Sequence, residues 1–158
     1  MKVDVPVWVS NLSIELADSR TKISASIYNQ NTDKYRGEQE KVISIMGIKA
    51  ELIVRHIIWE KSNVSHAYFS PMIDTKPVVG ADLVINGETY DIKGAKRDKG
   101  YLMVNYDAHN NPEKICDWYV FVIFGDKDAE IKKISYTDVS KWSVVNSTYT
   151  KVYKWTLQ

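Results

Sequence analysis

Asp82, Asp91 and Lys93 are the residues of this chain whose types and spacing could do chemistry, because a turn signal brings them together. Asn86-Gly87 stands between two short segments rich in Val, Ile, Leu and Tyr, the pattern of a two-residue β-hairpin. If Ile85 faces Glu88, then Val84 faces Thr89, Leu83 faces Tyr90, and Asp82 faces Asp91. Strand side chains alternate between faces, so Lys93 shares the face of Asp91 while Tyr90 and Ile92 go with Leu83 and Ile85 to the other. Two carboxylates directly across a strand pair repel. A divalent cation is the simplest resolution, and Mg²⁺ takes one or two protein carboxylates together with waters and phosphate oxygens. A charged lysine cannot ligate the metal, but it can orient or help deprotonate a water, or offset charge on a phosphorane-like transition state. The same spacing also describes a solvated hairpin face with three ordinary surface charges.

A long helix is expected just before this hairpin. Glu38 to Lys61 carries Val42, Ile45, Met46, Ile53, Ile57 and Ile58 around more than one stripe, which suits a central helix. Gly47 and Ala50 would let another backbone approach it. Glu51 lies one turn beyond Gly47 among Ala50, Leu52 and Val54, and a partly buried glutamate needs a partner or a cation. Arg55, four residues on, is the ordinary partner. After the hairpin, Lys93, Lys96, Arg97 and Lys99 form a basic cluster that could hold a phosphate backbone or be a solvated loop. Gly94 beside Lys93 would leave room for such a backbone.

Several further segments read as strands. Val3 to Val9 alternates, with Pro6 placing it at an edge or a bulge. Ser13 to Ala17 reads as a strand or a helical turn, and Ile23 to Tyr28 as a strand. Asn29 to Gly37 is turn-like, and Ser62 to Pro77 is an irregular connection. Tyr101 to Tyr106 is expected as a strand, Asp107 to Glu113 as a polar turn or short helix, and Cys116 to Phe124, the most hydrophobic run, as a central strand. Ala129 to Ser135 follows as a strand, Thr137 to Trp142 as a short helix begun by Thr137 or Asp138, and Ser147 to Leu157 as a final strand. Lys132, Lys133, Lys141, Lys151 and Lys154, interleaved with Tyr149, Tyr153 and Trp155, suit either a nucleic-acid surface or a guarded sheet edge.

Length and charge narrow the class. At 158 residues the chain is expected to form one domain with a core of its own. Twenty-one Lys and Arg against twenty Asp and Glu leave a net charge of +1, so a nucleic-acid partner would have to be held by local patches. Cys116 is the single cysteine, which excludes an internal disulfide framework and a Cys-rich zinc site, and its apolar setting reads as a buried hydrophobe. His56, His66 and His109 have no zinc-like spacing. There is no phosphate-binding glycine loop and no dinucleotide or hydrolase signature. With no leader and no apolar run of membrane length, a soluble cytoplasmic protein is expected.

A helix glutamate, an aspartate on one hairpin strand, then Asp-x-Lys on the next resembles the PD-(D/E)XK nuclease superfamily, matched here by Glu51, Asp82, Asp91 and Lys93. The resemblance covers roughly residues 38 to 124, and Ala81 stands where the pattern has proline. It implies an α/β (α+β) restriction endonuclease-like fold, with Val78 to Lys93 and Cys116 to Phe124 in a mixed sheet flanked by the helix. It further implies a Mg²⁺- or Mn²⁺-dependent endonuclease acting on DNA. Asp82, Asp91 and the backbone carbonyl of Ile92 would hold one cation, and Glu51 a second cation or a metal-bound water. Lys93 would position the attacking water, and Lys96, Arg97 and Lys99 would hold the adjacent strand. Cutting both strands would favour a two-fold homodimer. The alternatives are a non-enzymatic nucleic-acid-binding or protein-binding module on the same fold, and a sheet protein that binds single strands through Tyr and Trp.

Overall fold

The computed structural model describes residues 1–27, 38–62, 81–148 and 150–158, which fall into two compact units. One is helical and lies within residues 5–78. The other is built on strands, from residues 1–4 and 79–158. The fold is mixed α/β, of the α+β kind.

The helical unit pairs α1 (Val7–Ile27) with α2 (Glu38–Ser62). The expected strand over residues 3 to 9 is corrected: only β1 (Lys2–Asp4) is extended, and the chain is helical from Val7. Pro6 suits a helix start because its missing N–H is not needed there, and Val9 N–H closes the first turn onto Pro6 O at 3.0 Å. Val9, Ser13 and Ala17, spaced by four, are all fully buried, while Val7 is 76% exposed. The helical period therefore overrides the alternating valines. Ser13 sits in this apolar stripe because its hydroxyl donates to Ser10 O at 2.7 Å. The strand expected over Ile23 to Tyr28 is also corrected, since residues 23–27 continue α1 and Tyr28 lies outside the described residues. So do the turn at 29–37 and all of the connection expected over Ser62 to Pro77 except Ser62, which ends α2.

The long helix forms within a residue of its expected end. Ile48, Ala50, Leu52, Ile53, Val54 and Arg55 are buried, which takes in more than one of its faces. Gly47 is not required by a close approach: a Cβ built there meets nothing within 4 Å among the described residues.

The strand unit holds a five-stranded mixed sheet in the order β1-β6-β5-β3-β2, with β2 at Leu83–Ile85, β3 at Glu88–Lys96, β5 at Trp118–Phe124 and β6 at Asp128–Ser135. β3 and β5 run parallel and the other neighbours are antiparallel. A smaller sheet has the order β4-β8-β7, from Tyr101–Asn105, Lys151–Thr156 and Ser143–Asn146. Two short helices complete the unit, α3 (Tyr106–His109) and α4 (Tyr136–Val139). The hydrophobic run is central as expected, with every residue from Tyr119 to Ile123 buried. Tyr119, Phe121 and Ile123 pack with Leu102, Val104 and Tyr153 of the smaller sheet, together with Cys116 and Val139.

The expected helix over Thr137 to Trp142 forms one residue earlier and is shorter. Its cap is neither Thr137 nor Asp138 but Ser135, whose Oγ accepts the Asp138 N–H at 3.1 Å. β7 was not expected. Its four residues are all exposed, so no buried face marks it in the sequence. Among the described residues no helix is long and apolar enough to cross a membrane.

Candidate functional site

The hairpin forms as its turn residues dictate. Asn86 and Gly87 both take left-handed backbone angles, φ 50° and φ 81°, the requirement of the turn that matches strand twist. The register is Ile85 with Glu88, Val84 with Thr89 and Leu83 with Tyr90. Continued one residue beyond this pairing, the register would set Asp82 across from Asp91.

Each carboxylate there has a neighbour that answers its charge. The Ile92 N–H donates to Asp82 Oδ2 at 2.8 Å. A strand residue directs its N–H and C=O to the same edge, so the Ile92 carbonyl leaves β3 on the side of Asp82. Asp91 Oδ1 lies 2.8 Å from Lys93 Nζ, with the two side chains 25% and 38% exposed. Burial pushes the Lys93 ammonium toward deprotonation, but the Asp91 charge and hydrogen bond, aided by the Asp82 charge, more than offset it. Its pKa is held above the ordinary value, so Lys93 is cationic at neutral pH. It can orient a water or offset negative charge, and it does not take up a proton in this state.

Asp82, Asp91, Lys93 and Ile92 thus come together on one hairpin. Glu51 is carried on α2 in the helical unit, half-buried, one turn from the buried Arg55. Among the described residues no group of three or more His, Cys, Asp or Glu side chains is placed to hold a metal. What the hairpin offers is two carboxylates and a carbonyl, an all-oxygen set of the kind that suits Mg²⁺ or Mn²⁺ with several ligand positions left to water or substrate.

The basic cluster is more ordered than a loop. β3 runs through Lys96, and Arg97–Lys99 forms one 3₁₀ turn that Gly100 closes at φ 72°. By alternation Lys93 and Lys96 lie on opposite faces of β3. Lys96, Arg97 and Lys99 are all exposed. Arg97 presents both terminal nitrogens to Asp128, Nη1 to Oδ1 at 3.3 Å and Nη2 to Oδ2 at 3.4 Å.

Two of the late lysines do not guard an edge. Lys151 and Lys154 belong to β8, the middle strand of its sheet, and they lie over Tyr106 and Tyr101, each 4.2 Å from the ring centre. Lys133 lies 4.0 Å over Trp118, and Lys132 5.4 Å over Trp155. Tyr153 is buried, Trp155 stacks on Trp142, and Tyr149 lies outside the described residues. The aromatic residues that suggested a base-stacking surface are thus largely engaged with their own chain.

Two features were not legible locally. Asp117 ties β5 to β3: its carboxylate accepts the Thr89 N–H at 2.8 Å and the Thr89 hydroxyl at 3.0 Å. His109, which reads as an isolated polar position, is 1% exposed. Its ring stacks on Tyr136 at 4.0 Å, with Nδ1 2.8 Å from the Tyr119 hydroxyl and Nε2 2.8 Å from Ser140 Oγ. Ser140 Oγ donates to Tyr136 O, so it must accept from Nε2–H, and Nδ1 then accepts from Tyr119. Burial holds this imidazole below its ordinary pKa. Cys116 is buried, and burial, then the Asp91 charge, push its thiol up to about 11, which fits the small hydrophobe expected.

Comparison with protein-family models, with curated proteins and with solved structures finds no match to this chain.

Proposed function

We propose that this protein is a metal-dependent endonuclease of the PD-(D/E)XK type, with a restriction endonuclease-like core, that hydrolyses DNA phosphodiester bonds in the cytoplasm. The observation that carries the reading is the hairpin register, which continued one residue past Leu83 and Tyr90 would set Asp82 across from Asp91, together with the 2.8 Å between Lys93 and Asp91. A bound Mg²⁺ or Mn²⁺ would polarise the scissile phosphate and lower the pKa of a water. Asp82, Asp91 and the Ile92 carbonyl would hold it. Lys93, cationic beside Asp91, orients the attacking water and offsets charge at the phosphate. Lys96, Arg97 and Lys99 hold the neighbouring strand, and cleavage of both strands of a duplex would take a two-fold pair of copies.

A second reading, a binding module without catalysis, is favoured by one observation. The Ile92 amide and the Lys93 ammonium already answer the hairpin carboxylates without a metal. One experiment separates the two: Mg²⁺ and Mn²⁺ calorimetry on wild type and on an Asp82→Ala plus Asp91→Ala variant, with DNA cleavage measured on the same samples. Binding and cutting that both disappear in the variant support the nuclease. Equal heats in both proteins with no cutting by either sink it and leave the binding module.

A further inference from the structure

Arg97 and Asp128 meet just beyond the carboxyl ends of β3 and β5, the parallel pair whose last residues, Lys96 and Phe124, are in register. Their two contacts, 3.3 and 3.4 Å, are longer than the roughly 2.7–2.9 Å of a strong charge-assisted hydrogen bond. Both side chains are partly open to solvent, 41% and 35% exposed. Beneath them is Gly125, and a Cβ there would run into Asp128 Oδ1 and come within 2.6 Å of Arg97 Nη1. Its φ lies outside the left-handed region, so the backbone does not demand glycine. The space over Gly125 is taken by the ion pair.

We propose that Asp128 masks Arg97, neutralising the guanidinium in the free protein and giving way to a phosphate of the bound nucleic acid. The ligand class rests on the nuclease reading. A loose, half-exposed pair contributes little on its own, and a phosphate offers the same planar fork a competing acceptor. Exposed Lys96 and Lys99 flank Arg97 and add attraction for an anion, whereas Asp98, Asp126 and Asp128 oppose it. Asp128 is the one of these acids that engages the guanidinium, at both of its terminal nitrogens.

The test is binding of a short DNA duplex by fluorescence anisotropy in EDTA, where no cutting occurs, as a function of salt. Asp128→Asn keeps the shape but removes the charge. It should bind about three- to tenfold more tightly, with a salt slope steeper by about one. Gly125→Ala leaves the charge unchanged and displaces the pair, and it should also tighten binding, by about two- to threefold. In an Arg97→Gln background both gains should vanish. The proposal is overturned if neither variant binds more tightly, if the Asp128→Asn gain persists without Arg97, or if no variant binds the duplex. Thermal melts of each variant establish that it is folded. Cleavage of the same duplex by wild type in Mg²⁺ is read separately and bears only on the nuclease assignment.

Discussion

Asp82 and Ile92 are joined across the hairpin, the Ile92 amide donating to the Asp82 carboxylate at 2.8 Å just past the last paired residues of β2. One oxygen of Asp82 therefore has a structural duty whatever the other does. Asp82→Ala should cost about 1–2 kcal/mol, because a partly buried amide loses its acceptor. Asp82→Asn can still accept that hydrogen bond and should cost less than half as much. Both should lose divalent-cation binding. Urea midpoints paired with Mg²⁺ calorimetry check this, and an Asn variant as unstable as Ala would show that the carboxylate's charge, not its acceptor, secures the strand.

Lys93 now supplies the positive charge nearest Asp91. Lys93→Met should therefore leave Mn²⁺ binding intact or tighter, since a competing cation is gone, while cleavage falls at least about a hundredfold. Cleavage by the Met variant at the wild-type rate would remove Lys93 from the mechanism. Loss of Mn²⁺ binding would instead mean that the ammonium holds Asp91 in place.

What the sequence made legible was whatever depends on residues close together. The Asn86-Gly87 turn determines a register by itself, and the hydrophobic run at β5 and the long α2 follow from their own patterns. Residues 3 to 9 misled because four alternating valines satisfy a strand period, while the deciding stripe of Val9, Ser13 and Ala17 contains a serine satisfied by its own backbone. The Asp117–Thr89 tie spans 28 positions, and the two hydroxyls on His109 come from residues 10 and 31 positions away. No local pattern encodes such partners. The mask on Arg97 is hidden for the same reason, since Asp128 is 31 positions distant.

His109 gives the strand unit an acid limit. Its folded pKa lies below the ordinary value of 6.5 because burial disfavours the imidazolium. As pH falls through that ordinary value the unfolded chain takes up a proton that the folded chain does not, so stability drops. The slope from this residue is at most about 1.4 kcal/mol per pH unit. Urea midpoints from about pH 7.5 down to about pH 5 should decline in wild type. His109→Leu should be less stable throughout, by about 2–4 kcal/mol, with the Tyr119 and Ser140 hydroxyls left without the ring. Its decline with acid should be shallower. An equal slope in the two proteins would assign the acid sensitivity to carboxylates instead.

Turn geometry and site register can be separated at Gly87. Its φ of 81° is one that a side chain resists. Gly87→Ala should cost about 1–2 kcal/mol, yet leave Asp82 facing Asp91, so metal binding and cleavage should persist at temperatures where the variant is folded. A single glycine inserted after Gly87 relieves backbone strain but changes the loop length, and loop length sets the pairing. One strand then slips against the other and Asp82 no longer faces Asp91. This insertion should abolish cation binding and cleavage even if its urea midpoint stays near that of Gly87→Ala. An insertion variant that still binds Mn²⁺ and cuts DNA would mean that the carboxylates do not act as an opposed pair, and the hairpin register would cease to support the nuclease reading.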